Sequence, residues 1–277
     1  MEIYLGSTPR RQKVQAKFVL YLVAPRSPLL GLLIDEMKTP NKIYEFHVEN
    51  LHAIDIALDK VALTLRESIA KNNGKMIASF MRLFALLLAS WAECRLNKLL
   101  YEPKRFSDIE RDSITSQKTQ LDRWSAVIEV AYRKYYSIPH AKLSATTIPH
   151  SAYSRYESVL ELINCDLRPI IELRNKLAHG QWIFPLNDDG NDVAQIQMDA
   201  LRKENLLSLQ FKKRLISSLT DIVNDLVVSR PTFERDFDYH YNLIIQTKRN
   251  LVNRNYTTYE SKMQEKYKRG QERKKAN

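Results

Sequence analysis

Arg174-Asn175-Lys176-Leu177-Ala178-His179-Gly180 sets an arginine, an amide and a histidine within six residues, with a glycine directly after them. A guanidinium grips phosphate through a planar fork of donors. An imidazole moves protons near neutral pH. One cation to hold a phosphate and one acid–base group beside it suffice to break a phosphodiester without a metal. The spacing says what must hold them. Leu160, Ile163, Leu167, Ile170, Arg174 and Leu177 recur in steps of three and four, the period of a helix seam, and Gly180 follows as the residue that ends the helix. Arg174 therefore takes a seam position where leucine is expected, and a charge there is costly unless it is paired or meets an anionic ligand. Residues five apart stand about 140° apart around a helix axis, so Arg174 and His179 do not share a face. Asn175 and His179 do, one turn apart, and the long arginine must curl toward that edge.

The rest of the chain reads as helices. Leu51, Ile54, Leu58, Val61 and Leu65 mark a helix from Ile43 to about Ala70, closed by Asn72-Asn73-Gly74. Residues 75–101 are apolar nearly all round, which predicts a central helix packed on several sides. Arg82, Glu93 and Arg95 interrupt it and argue against a membrane span. A polar connection follows to about Gln117, then a helix from Leu121 to Tyr136 and a loop between Pro139 and Pro149. A long helical stretch, Ala152 to His179, contains Pro169, which removes a donor and clashes with the turn before it. A kink or break is expected there, with Pro169 near the start of the piece that carries the motif. Single helices are expected over 199–229 and over 232–268. The fold class is thus all-α: residues 1–42 an irregular extension with one apolar run, Phe18 to Val23, residues 43–230 a helical bundle, and residues 231–277 a C-terminal helix and basic tail.

The charge is placed unevenly. Of the net +11, residues 248–277 supply +7, with ten Lys/Arg against three Glu. Such a tail suits a polyanion, whether RNA, DNA or an acidic membrane surface; for RNA, Lys266, Lys268, Arg269, Arg273, Lys274 and Lys275, with Lys176 in the motif, are the candidate RNA contacts. Cys94 and Cys165 lie far apart without a CxxC or a spaced histidine, so no zinc site is expected, both are assigned to the core, and the usage fits a reducing cytoplasm. The run before Pro25 is too short to span a membrane. Trp91 and Trp182 are assigned to packing, and the other five histidines show no informative spacing. With no Gly-rich phosphate loop, paired DxD or HExxH, kinase, ATPase and metalloprotease readings have no support.

A helix ending in RNKLAHG within an all-α chain resembles the HEPN superfamily, whose ribonuclease members carry Arg, a polar residue and then His after four to six intervening residues; four intervene here. The resemblance covers roughly residues 43–229 and is specific only at the motif. It implies a homodimer whose motif helices face each other in one composite RNA-cutting groove, acting without metal or cofactor by attack of the ribose 2′-OH. Arg174 would hold the scissile phosphate, His179 would transfer a proton, Asn175 would orient the histidine or bind a phosphate oxygen, and Glu93 would stand near the site or pair with Arg174. Seam residues such as Leu177 would then take part in assembly. Many such proteins are toxins or antiviral defence effectors, with an antitoxin or sensor protein as a further partner. Silencing by a nucleotidyltransferase resembles motifs with Tyr two residues after the His; Gln181 stands there in this chain. The alternative is a non-catalytic helical module that binds RNA, a nucleotide or a protein.

Overall fold

A computed structural model describes residues 40–276. The chain divides into two units, 1–43 and 44–277. The expected extension, 1–42, with its apolar run at Phe18 to Val23, lies almost wholly outside the described residues. The described residues are helical apart from turns and one antiparallel bridge between Leu186 and Val193, so the fold is all-α. The helices are α1 (Pro40–Ala70), α2 (Gly74–Leu100), α3 (Asp108–Thr115), α4 (Gln120–Tyr135), α5 (His150–Leu162), α6 (Arg168–Ala178), α7 (Gln195–Lys203), α8 (Leu206–Val228), α9 (Arg230–Asn253) and α10 (Tyr256–Ala276).

The helix starts follow side-chain caps. Asn73 accepts the Met76 N–H at 3.3 Å, Ser107 and Glu110 exchange bonds as a capping box, and Thr119 does the same with Asp122. Each cap satisfies amides that the first helical turn leaves without partners. These caps also explain where the structure departs from the expected boundaries. The polar connection before Gln117 contains α3, started by Ser107. The helix expected over 199–229 is two helices, because Asn205 turns the chain and caps α8 through the Ser208 N–H at 2.9 Å. The helix expected over 232–268 breaks at Arg254, and Asn255 caps α10 through the Thr258 N–H at 3.0 Å. The boundary expected after residue 230 is a tight turn. Ser229 joins α8 to α9, which packs along it within the same unit.

α2 is the central helix. It packs against α6, α8 and α4, and Phe84, Leu88, Trp91 and Leu96 are buried in an apolar cluster that also takes Leu58 and Leu65 of α1. By length and composition α2 is apolar enough to cross a membrane. Two of its charges, however, pair sideways within the bundle: Glu93 with Arg174 of α6, and Arg95 with Asp221 of α8 at 2.6 Å.

Pro169 acts as expected on the motif helix. Ile163–Leu167 forms a π turn ahead of α6, and the Arg168 N–H reaches back five residues to the Ile163 carbonyl. The wider turn makes room for the proline ring, which would clash with an α-helical carbonyl four residues earlier. Ile163, Leu167, Ile170 and Leu177 remain buried through it, whereas Cys165 is exposed. The core assignment of Cys165 is therefore corrected: two residues from the buried Ile163, it stands on the opposite side of the helix. Cys94 is half-buried.

Candidate active site

α6 brings the motif to the edge of the bundle, and its last turn fixes the histidine. His179 is the C-cap residue. Gly180 follows with φ +77°, a backbone conformation that L side chains rarely adopt. This turn lets the Gly180 N–H reach the Leu177 carbonyl at 3.1 Å and the Gln181 N–H reach the Lys176 carbonyl at 3.0 Å, the bond pair of a Schellman stop. Trp182 locks it from outside, its Nε1–H donating to the Leu177 carbonyl at 2.9 Å, in keeping with its assignment to helix-end packing.

Arg174 is partly buried at its seam position and faces α2. Its Nη2 donates to Glu93 Oε2 and, at 3.3 Å, to Oε1 of Gln120 at the start of α4. Its Nη1 donates to Asn175 Oδ1 at 3.2 Å. The seam charge is thus paired, as its position demands. Side-chain exposures of 21% for Arg174 and 34% for Glu93 leave the pair partly open to solvent and to an exchanging anion. Nε of Arg174 and Nε2 of Gln120 are buried donors without acceptors.

Asn175 and His179 lie on the other face, as their spacing requires. They line an open groove of about 530 Å³ with Glu172, Lys176, Gln181 and Gln197. The turn after α6 closes one side. Asp188, in the Asn187-Asp188-Asp189-Gly190 turn, accepts from Lys176 Nζ at 3.3 Å. The structure therefore unites Asn175, His179 and Lys176 in one groove, and links Arg174 to it through the Asn175 side chain. Glu93 stands behind Arg174, out of the groove. The tail candidates Lys266, Lys268, Arg269, Arg273, Lys274 and Lys275 are exposed along α10. Among the described residues no group of three His, Cys, Asp or Glu is placed to hold a metal.

Two features of the site escape sequence reasoning. Gln120 sits 54 positions before its arginine, and nothing local marks it. The turn at Asn187 is legible as a turn but not as a wall of the groove. One expectation is corrected. Leu177 is 1% exposed and belongs to the core of its own chain, because the seam faces α2 rather than a second copy. A charge at Leu177 would break the bundle itself rather than an interface between subunits.

Comparison with protein-family models, with curated proteins and with solved structures finds no match.

Proposed function

We propose that the protein is a metal-independent endoribonuclease of HEPN type, acting in the cytoplasm as a toxin or antiviral defence effector. The observation that carries the reading is the groove that Asn175 and His179 share, with Arg174 bonded to Asn175 at its edge. In this reading the ribose 2′-OH loses its proton to a base as its oxygen bonds to the adjacent phosphorus. The bond from phosphorus to the 5′-oxygen breaks, and His179 protonates that leaving oxygen. The products are a 2′,3′-cyclic phosphate and a 5′-hydroxyl. Arg174 balances the charge that builds on the phosphate. A second His179, from a second copy of the chain, supplies the base. Exposed Ile183, Phe184 and Ile196, at 64%, 59% and 79%, lie on the same turn and helix that wall the groove and offer an apolar seat for that copy.

The test is incubation with single-stranded RNA in excess EDTA, beside DNA of the same sequence. RNA is expected to be cut and DNA left whole, since DNA lacks the attacking hydroxyl. The active species is expected to scatter light near twice 32.4 kDa, and charged residues at Ile183 and Ile196 together should halve that mass and abolish most of the activity. Full activity from a monomer sinks the composite site. One observation favours the second reading, a non-catalytic binding module: Glu93 and Gln120 already satisfy much of Arg174. RNA that is bound but never cut would establish it.

The basic tail belongs to affinity in this scheme. Met263 packs on the core, so a truncation that tests charge alone must begin after it. Removing residues 268–277 deletes five Lys/Arg and one Glu. RNA affinity is expected to fall, with a salt dependence flatter by about 0.7 for each phosphate that the shortened chain no longer neutralises. The cutting rate at saturating RNA should hold. An unchanged slope would make the end of α10 a solvated helix.

A further inference from the structure

A groove of about 390 Å³ runs between α1, α2 and α8. Its floor is Phe84 and Trp91, and its rim carries Arg66, Lys213 and Arg214 with the polar Gln210 and Ser217. A second groove, about 480 Å³, lies at the α9–α10 junction, lined by Asn250, Asn253, Arg254, Asn255, Tyr259 and Lys262 among others. Arg214 lines both. The two form one track, walled along α8 from Leu207 to Ser217, about 15 Å of helix.

Four of the five cations of this track are uncommitted. Arg66, Arg214, Arg254 and Lys262 are exposed, and among the described residues none makes an ion pair; Arg214 only lies 5.8 Å from the Phe211 ring. Lys213 meets Asp59 at 3.2 Å, but that carboxylate is 77% exposed and easily displaced. Trp91, buried in the floor, has an Nε1–H without an acceptor. A basic pocket of about 230 Å³ elsewhere, lined by Lys104, Arg105, Lys134 and Arg230, has two of these four engaged: Lys134 is held by Glu110 at 3.1 Å and Arg230 stacks on Tyr135 at 4.4 Å.

We propose that this track binds the backbone of single-stranded RNA, a proposal that rests on RNA being the substrate read above. The cations meet successive phosphates. The amides of Asn250 and Asn253 offer donors and acceptors to base edges, the Asn255 Nδ2 a further donor, and Tyr259 an aromatic face. A free phosphate would use one end of the track; only a strand uses both.

The probe is a short fluorescein-labelled single-stranded RNA, titrated by anisotropy into full-length His179→Ala protein across a range of salt. Arg214→Glu, the charge reversal common to both grooves, is expected to weaken binding at least tenfold. Arg66→Ala and Arg254→Ala should each flatten the salt slope by about 0.7. Trp91→Phe keeps the floor filled and should weaken binding several-fold without altering the helical circular-dichroism signal. Unchanged affinity and slope in Arg66→Ala and Arg214→Glu would overturn the proposal, as would preference for duplex RNA, or binding to anionic vesicles with none to RNA. The two readings fail separately. A wild type that cuts RNA, with Arg214→Glu binding and cutting as well as wild type, removes the track and leaves the catalytic site. A wild type that never cuts, but loses RNA binding on Arg214→Glu, removes the catalysis and leaves the track.

Discussion

His179→Ala should cut RNA about 10²–10⁴-fold more slowly than the wild type, the usual scale for loss of a general acid or base. The substitution should not unfold the chain. The helix stop uses backbone groups of residues 176, 177, 180 and 181 and the Trp182 indole, and the His179 ring is exposed. Arg174→Ala should cost at least as much, and Arg174→Lys should rescue it only in part, because an ammonium cannot reach Glu93, Gln120 and Asn175 with the same fork. Glu93→Gln separates positioning from chemistry. It keeps an acceptor for Arg174 without the charge, so a small loss fits a carboxylate that only orients the guanidinium. The readout is initial rate in EDTA, with circular dichroism as the control. His179→Ala that stays folded and cuts at the wild-type rate ends the enzyme reading.

The largest stability effect is expected from Lys212→Met, far from the motif. Glu204 sits in the turn between α7 and α8 with its side chain only 5% exposed. One carboxylate oxygen accepts from Ser208 Oγ at 2.7 Å, and the other pairs with Lys212 Nζ. Removing the ammonium leaves a desolvated carboxylate without its counter-charge, which costs about 3–5 kcal/mol. For a unit of this size that is roughly 6–20 °C in thermal midpoint. The double variant Glu204→Leu/Lys212→Met should recover most of the loss, since it removes both charges together. Equal midpoints for the single and double variants would show the pair to be uncoupled.

The helices themselves were largely legible because their apolar periodicity is long. α1 and α2 fall within a few residues of where Leu51 to Leu65 and the run from Met76 to Trp91 put them. Proline at 169 also announced its own effect. α3 was missed because its eight residues hold only two apolar ones, Ile109 and Ile114. The two expected helices that proved to be pairs share another cause. At Asn205 and Asn255 the chain turns without glycine or proline, on a single side chain capping the next amides. Apolar spacing carries on across such a turn, so periodicity joins two helices into one. The site was half legible. Spacing within one helix placed Asn175 and His179 together and Arg174 apart. What Arg174 meets across the bundle depends on how α2 and α4 dock, and no local pattern encodes that. The sense of the seam was misjudged for the same reason, since a stripe of leucines does not say which apolar surface it will meet.

The π turn at Ile163–Leu167 holds one residue more than an α turn would. It behaves as an insertion absorbed inside a helix rather than in a loop. The apolar stripe nevertheless runs on across it: Ile163, Leu167, Ile170 and Leu177 stay buried, and Arg174 still meets Glu93 of α2. A chain aligned to this one with a single gap inside that turn would close it to an ordinary α turn and keep its arginine on α2. In this fold the helix before the motif can therefore differ by one residue without turning the guanidinium away.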